Sequence, residues 1–252
     1  MMQNGKTAVV TGASGGFGQA IARRLAADGH PLVLLGRHGD IEGLAEELRA
    51  TGATVWIERP DLADGDAVIA AGRRILAEAG SIHILVNNAG LAVRRPGGPV
   101  LLDDMTLTEW NHAVAVNLSA AFLLTQQFAP GMRDKGWGRI VNISSRAGRT
   151  GMEAGDVAYA VTKAGLIGLT RKAAYELAPH GITVNAIAAG RFDAGMAMET
   201  DPAVASRTLA AIPAGRAGDV RELAATVAFL VSDGAAYMTG AVLDVNGGTF
   251  MG

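Results

Sequence analysis

Short runs of four to six residues, apolar almost throughout, recur along this chain with longer helical patterns between them. The runs are Lys6–Thr11, Leu32–Leu35, Thr54–Glu58, Ile82–Asn87, Arg139–Ser144, Thr183–Ala188 and Ala241–Val245. They do not alternate apolar with polar, as a strand with one wet face would. A continuous apolar strand belongs in a parallel sheet covered on both sides. The segments between them carry helical periodicity near Gly16–Ala27, Ile41–Ala50, Asp64–Ala79, Leu107–Met132, Val157–Ala178 and Val220–Ser232. Strand–helix alternation of this kind predicts an α/β fold: a doubly wound, seven-stranded parallel sheet with right-handed crossovers and helices on both faces. No linker or repeat interrupts the 252 residues, so residues 1–252 read as a single domain. The stretch 191–218 departs from the pattern and reads as a mobile helical loop over the sheet, where substrate contacts are often carried.

Composition narrows the function. Hydrophobic residues make up 49% and charged residues 18%, which excludes disorder. A net charge of −2 argues against nucleic acid as a partner. No apolar run reaches the length of a membrane span, and the start of the chain lacks the apolar core of a signal peptide, so a cytoplasmic protein is expected. The absence of cysteine removes disulfides, thiolate metal sites and thiol nucleophiles. The histidines His30, His38, His83, His112 and His180 show no metal-ligand spacing, so no metal site is expected.

Thr11-Gly12-Ala13-Ser14-Gly15-Gly16-Phe17-Gly18 stands where the first strand meets the first helix. Glycines there let backbone amides approach a phosphate, and the helix N-terminus adds a favourable dipole. The spacing Gly12-x3-Gly16-x-Gly18 resembles that of the short-chain dehydrogenase/reductase family. Further motifs of that family follow in order: Asn87-Asn88-Ala89-Gly90, Asn117 inside a long helix, Asn142-Ile143-Ser144-Ser145, Tyr159-x-x-x-Lys163 and a closing Asn246-Gly247-Gly248. The likeness spans nearly the whole chain, and it implies a Rossmann-type oxidoreductase.

The chemistry suits the residues. Tyr159 and Lys163 lie four apart, hence on one face of a helix. A free tyrosine titrates near pKa ~10, and a cationic neighbour would stabilise its phenolate. By resemblance, Tyr159 is the general acid or base and Lys163 binds the nicotinamide ribose and tunes it. Ser145 orients the carbonyl, with Ser144 as the alternative, and Asn117 supports a water relay from Lys163. The cofactor residues implied are Gly12, Ser14, Gly16, Phe17, Gly18, Asn88, Ala89, Gly90 and Gly190, together with Tyr159 and Lys163. Asp61 and Leu62 match the pair that contacts adenine. NAD-specific folds place a carboxylate after the second strand. Here Gly36, Arg37 and His38 stand there, and Arg37 can grip a 2′-phosphate. NADP(H) is expected, with NAD(H) as the alternative. Asp40 reads as a helix N-cap.

The family's Pro-Gly after the sixth strand is Ala189-Gly190 here, and a threonine that contacts the nicotinamide falls on Ala194. The expected reaction is hydride transfer between NADP(H) and a ketone or secondary alcohol. The nearest subgroup in appearance is the 3-oxoacyl-acyl-carrier-protein reductases of fatty-acid synthesis. Two carrier-binding arginines of those enzymes fall on Gly136 and His180, which predicts no strong preference for a carrier-bound substrate. A non-catalytic NADP-binding regulator is the alternative of another class. The resemblance further implies a homotetramer or homodimer, and the small-residue runs Ser119-Ala120-Ala121 and Arg171-Lys172-Ala173-Ala174 would let helices pack closely.

Overall fold

The computed structural model describes residues 5–95, 98–151, 155–194 and 202–252. Seven strands form one sheet: β1 (Ala8–Thr11), β2 (Leu32–Leu35), β3 (Val55–Glu58), β4 (Ile84–Asn87), β5 (Gly138–Ser145), β6 (Ile182–Ala189) and β7 (Val242–Val245). Their order is β3-β2-β1-β4-β5-β6-β7, and every neighbouring pair is parallel. Helices α1 (Gly16–Ala27), α2 (Ile41–Ala50) and α8 (Val220–Val231) cover one face. Helices α3 (Gly65–Ala79), α5 (Ala120–Lys135) and α6 (Val157–Leu177) cover the other.

The continuous apolar runs are thus explained. Ala8 and Val10 of β1 enter the core under α1 and α8, while Val9 between them enters the core under α3, α5 and α6. Successive side chains point to opposite faces, and both faces are covered. Strands β1, β2, β4, β5 and β6 are buried along their whole length.

Polar residues mark the helix starts. The Asp40 carboxylate accepts from the Gly43 amide at 2.7 Å, as an N-cap should. Asp64 caps α3 instead of joining it. Thr106 and Glu109 form a capping box at the start of α4 (Leu107–Val114).

The expected long helix Leu107–Met132 is in fact interrupted. Between α4 and α5 the residues Ala115–Ser119 wind as a π-helical turn, and Asn117 lies at its centre. Periodicity alone did not reveal this, because a π-turn inserts one residue without changing the apolar character of the run.

The chain reverses its winding between β1 and β4, and in such sheets the crevice at the strands' carboxyl ends takes ligands. Asn88 closes this junction: its side-chain amide donates to the carbonyls of Thr11 at 2.9 Å and Gly12 at 3.2 Å. In return, Thr11 Oγ1 accepts from the amides of Asn88 and Ala89. In the stretch 191–218, the two ends are stapled together. The Gly218 amide donates to the Arg191 carbonyl, and the Asp193 amide to the Gly218 carbonyl. Helix α7 (Pro202–Ala210) lies within it, and residues 195–201 of the expected loop lie outside the described residues.

Candidate active site

A cavity of about 600 Å³ opens at the carboxyl ends of the strands. The glycine loop forms one end of it. Gly12 has φ +63°, a conformation natural to glycine, and a Cβ there would stand 2.9 Å from Ala89 Cα. A Cβ on Gly18 would come within 2.1 Å of the Gly12 carbonyl oxygen. The loop can therefore turn this tightly only with these glycines. Gly12, Ser14, Gly16 and Phe17 line the cavity, as do His38, Asn88, Ala89, Gly90 and Gly190. Gly18, Arg37, Asp61, Leu62 and Asn117 do not. The first of these is structural, as its contact with Gly12 shows. Arg37, half exposed, is ion-paired with Asp61.

Ser145, Tyr159 and Lys163 meet at the other end of the cavity. β5 delivers Ser145 at its last residue, and α6 delivers Tyr159 and Lys163 from its first two turns. The two serines are distinguished by their partners. The Ser144 hydroxyl donates to the Lys163 carbonyl at 2.7 Å and is spent on the α6 backbone. The Ser145 side chain hydrogen-bonds Tyr159 and also accepts from the Ala147 amide at 3.1 Å. Lys163 is buried, and its ammonium donates to the Ile143 carbonyl at 2.7 Å. Its Nζ stands 5.6 Å from the Tyr159 ring centre. A Cβ on Gly90 would approach that Nζ to 3.0 Å, so Gly90 leaves room for it.

Burial dominates the electrostatics. It pulls the Lys163 ammonium down to a pKa of about 8. It pushes the Tyr159 phenol above its usual value; the hydrogen bond from Ser145 opposes this, the Asp156 charge adds to it and the Arg94 charge opposes it. Lys163 is expected to supply part of the stabilisation of the phenolate; in the protein by itself burial keeps the phenol above its usual value. Burial outweighs the neighbouring charges here.

Asn117 is buried with its amide fully used. Its Oδ1 accepts from the Leu91 amide at 2.8 Å, and its Nδ2 donates to the Leu91 carbonyl at 2.8 Å and to Thr162 Oγ1 at 3.0 Å. It clamps the segment after Gly90 to the second turn of α6. A deeper polar ladder runs beneath: Asn87 donates to Asn142 at 2.8 Å, and Asn142 to Thr170 at 2.8 Å.

Two contributors escaped the sequence reading. Asp156 is buried; its carboxylate caps α6 through the Tyr159 amide at 2.8 Å and holds the Val93 amide at 2.8 Å. It thereby joins the loop after β4 to the helix that carries Tyr159. Its position three residues before Tyr159, at a helix start, is the signal that could have found it. Arg94 follows on a short ribbon, Arg94–Arg95 against Gly98–Pro99, and lines the cavity. Nothing in the pattern of the sequence marks it.

Gly136 and His180 belong elsewhere. Gly136 and Gly181 are in close approach at the amino ends of β5 and β6, whereas the cavity lies at the carboxyl ends. An eight-residue strand separates the two by about 25 Å. Within one chain these positions are remote from the site.

A family model described as Enoyl-(Acyl carrier protein) reductase matches residues 12–249. The 3-oxoacyl-[acyl-carrier-protein] reductase FabG of Staphylococcus aureus is 39% identical over 252 residues, covering 99% of this chain and 100% of the relative. That of Escherichia coli (strain K12) is 40% identical over 248 residues, covering 98% of each. Among solved structures, a blue fluorescent protein from a metagenomic library, in complex with NADPH, superposes with TM-score 0.90 at 35% identity over the full length of both chains. The 3-oxoacyl-[acyl-carrier protein] reductase of Brucella melitensis gives TM-score 0.94 at 32% identity, covering 100% of this chain and 93% of that one.

Proposed function

The chain belongs to the short-chain dehydrogenase/reductase family, and from that premise we propose that it reduces a ketone, or oxidises a secondary alcohol, with NADP(H). One observation carries the reading: Ser145, Tyr159 and Lys163 share a single cavity with a glycine loop shaped for phosphate. The dinucleotide fits that cavity, since Gly12, Ser14, Gly16, Phe17, Asn88, Ala89, Gly90 and Gly190 line it. Arg37 takes the 2′-phosphate by exchanging Asp61 for a second anionic partner at the rim. Asp61 and Leu62, beside it, bound the adenine pocket. A solved relative binds NADPH, which supports the choice of NADP(H) over NAD(H).

When bound, the reduced nicotinamide supplies the hydride. The protein's own residues place the carbonyl and manage the proton. Ser145 donates a hydrogen bond to the substrate oxygen. Tyr159 delivers its phenolic proton to the nascent alkoxide. Lys163 holds the ribose and, as a cation beside the phenol, eases that transfer. Burial raises the phenol in the protein alone, so Lys163 must act together with whatever else lies in the cavity. Asn117 is a positioning residue. It sets Leu91 and α6 at a fixed separation, from which a water relay to Lys163 could be organised.

A second reading, 3-oxoacyl-acyl-carrier-protein reduction, is favoured by the names of relatives at 38–40% identity. It is tested by offering one 3-oxoacyl group free and carrier-linked, at low and high salt. A large salt-sensitive advantage for the carrier would establish it. The main reading is tested by the loss of NADPH absorbance with a panel of ketones. NADPH binding without turnover of any carbonyl, carrier-linked ones included, would instead indicate a regulator that only binds the cofactor.

The protein acts in the cytoplasm on this reading, as a homotetramer or homodimer. No helix among the described residues is long and apolar enough to cross a membrane. The small residues Ala120, Ala121, Ala173 and Ala174 are buried within the subunit, so the expected small-residue contacts are internal. Phe122 on α5 and Val161 on α6 remain 48% and 45% exposed, and they support assembly through those helices. Sedimentation would give the state.

A further inference from the structure

Resting on the reading of this cavity as a ketone-reducing site, we propose that the substrate carries a compact anionic group, a carboxylate or a phosphate, near its carbonyl, and that Arg146 and Arg94 select it. Among the described residues the cavity lining includes Arg94, Arg146, Lys163 and Arg191, and neither aspartate nor glutamate. Lys163 is committed to Tyr159 and the Ile143 carbonyl. Arg191 follows Gly190 and is next to Phe192, whose ring meets Phe17 of the glycine loop edge-on at 5.0 Å, so it belongs to the dinucleotide end.

Arg94 and Arg146 lie at the other end. Arg146 directly follows Ser145, on a 3-10 turn (Arg146–Gly148) that the Ser145 hydroxyl caps. It is half-buried and makes no ion pair with any described residue. Two other arginines of this region are used differently. Arg149 pairs with Asp244 at 3.4 Å, and Arg95 turns outward to Glu109 at 2.9 Å. Arg94, beside Arg95, lines the cavity, close enough to Tyr159 for its charge to favour the phenolate.

A half-buried guanidinium gains most from an anion that it can grip in a bidentate pair. Two such groups flanking the proton donor and the carbonyl-orienting serine would fix one end of a substrate while its carbonyl meets Ser145 and Tyr159. A carrier-linked acyl chain has no charge within several bonds of its 3-oxo group. The arginines therefore point to a small, free, charged substrate.

The test uses matched pairs with NADPH: keto acids against their methyl esters, and keto phosphates against the corresponding alcohols. In the wild type the charged member should have the higher kcat/KM, by about tenfold or more, the scale of one charge-assisted contact. The better charged member of the two series identifies the group. Arg146→Met and Arg94→Met should each collapse that ratio through KM, while Arg95→Met should leave it in place. Because a ratio is read, partial misfolding of one variant does not mimic the effect, and the two variants check each other. Neutral members turned over as well as charged ones, or a preference surviving both substitutions, would overturn this proposal and leave the reductase reading standing. Turnover of no member of either series would overturn this proposal, and the reductase reading would fall with it only if carrier-linked carbonyls were not reduced either.

Discussion

Lys163 is held in the fold at a cost that can be measured. Burial lowers its pKa from 10.5 to about 8. Each unit is worth 1.36 kcal/mol, so the charged side chain is less stable in place than in water by about 3 kcal/mol. Methionine has a similar length and no charge. Lys163→Met therefore relieves that penalty but loses the hydrogen bond to the Ile143 carbonyl, worth about 1 kcal/mol. The net gain at pH 7 is about 2 kcal/mol, or a rise in Tm of about 4–8 °C for a chain of this size. The sign of the pH dependence follows from linkage. The unfolded chain binds the proton more tightly than the folded one, so wild-type stability climbs as pH rises from about 8 towards 10.5. Below pH 8 the penalty is fully present, and near 10.5 it has gone. The advantage of the variant should accordingly be complete in the neutral range and turn into a deficit of about 1 kcal/mol above pH 10.5, where only the lost hydrogen bond remains. Paired melts of the cofactor-free proteins across that range give the difference directly, and other titrating groups cancel. A variant that melts at or below the wild type at pH 7, or an advantage that does not change with pH, would refute the reasoning. The lysine would then be solvated or compensated in a way this geometry does not contain.

Tyr159→Phe keeps the ring and removes the proton; NADPH should still bind, measured by fluorescence, while turnover falls by about 10²–10⁴. Arg37→Ala should reduce the preference for NADPH over NADH about tenfold or more, read from paired dissociation constants; an unaltered ratio would show that Arg37 never leaves Asp61. Asp156→Ala removes a helix cap and strands the Val93 amide, so the melt should fall by the equivalent of about 2–3 kcal/mol, with turnover falling too. Asp156→Asn keeps one acceptor and should recover part of both.

The sheet was legible because burial on both faces leaves its strands continuously apolar, and β2 and α1 coincide with their expected bounds. The pairing of Tyr159 with Lys163 was legible as well, since helical spacing places them on one face, whereas Ser145 was legible only through the likeness to the family's serine motif. What the sequence could not carry was competition between partners. Arg37 stands where a phosphate grip is expected, yet folding brings Asp61 to it from the loop after β3. Ser144 and Ser145 are indistinguishable as letters, and only their hydrogen bonds separate them. Arg94 and Arg95 are likewise a plain pair until a ribbon turns one into the cavity and the other to Glu109.

The π-turn at Ala115–Ser119 makes this part of the chain sensitive to length more than to composition. One residue in excess of a regular helix rotates everything beyond it by about 100°. The inward faces of α4 and α5 are therefore out of phase by that angle, and the fold uses the offset to aim Asn117 at Leu91 while Leu124 and Phe128 still reach the core. Side-chain replacements on either helix leave the offset alone. Deleting a single residue from the turn would restore a regular helix and swing Asn117 away from Leu91, or else drag the apolar stripe of α5 towards solvent. A replacement on the exposed faces of Leu107–Lys135 therefore leaves this geometry in place, where an insertion or deletion of one residue does not.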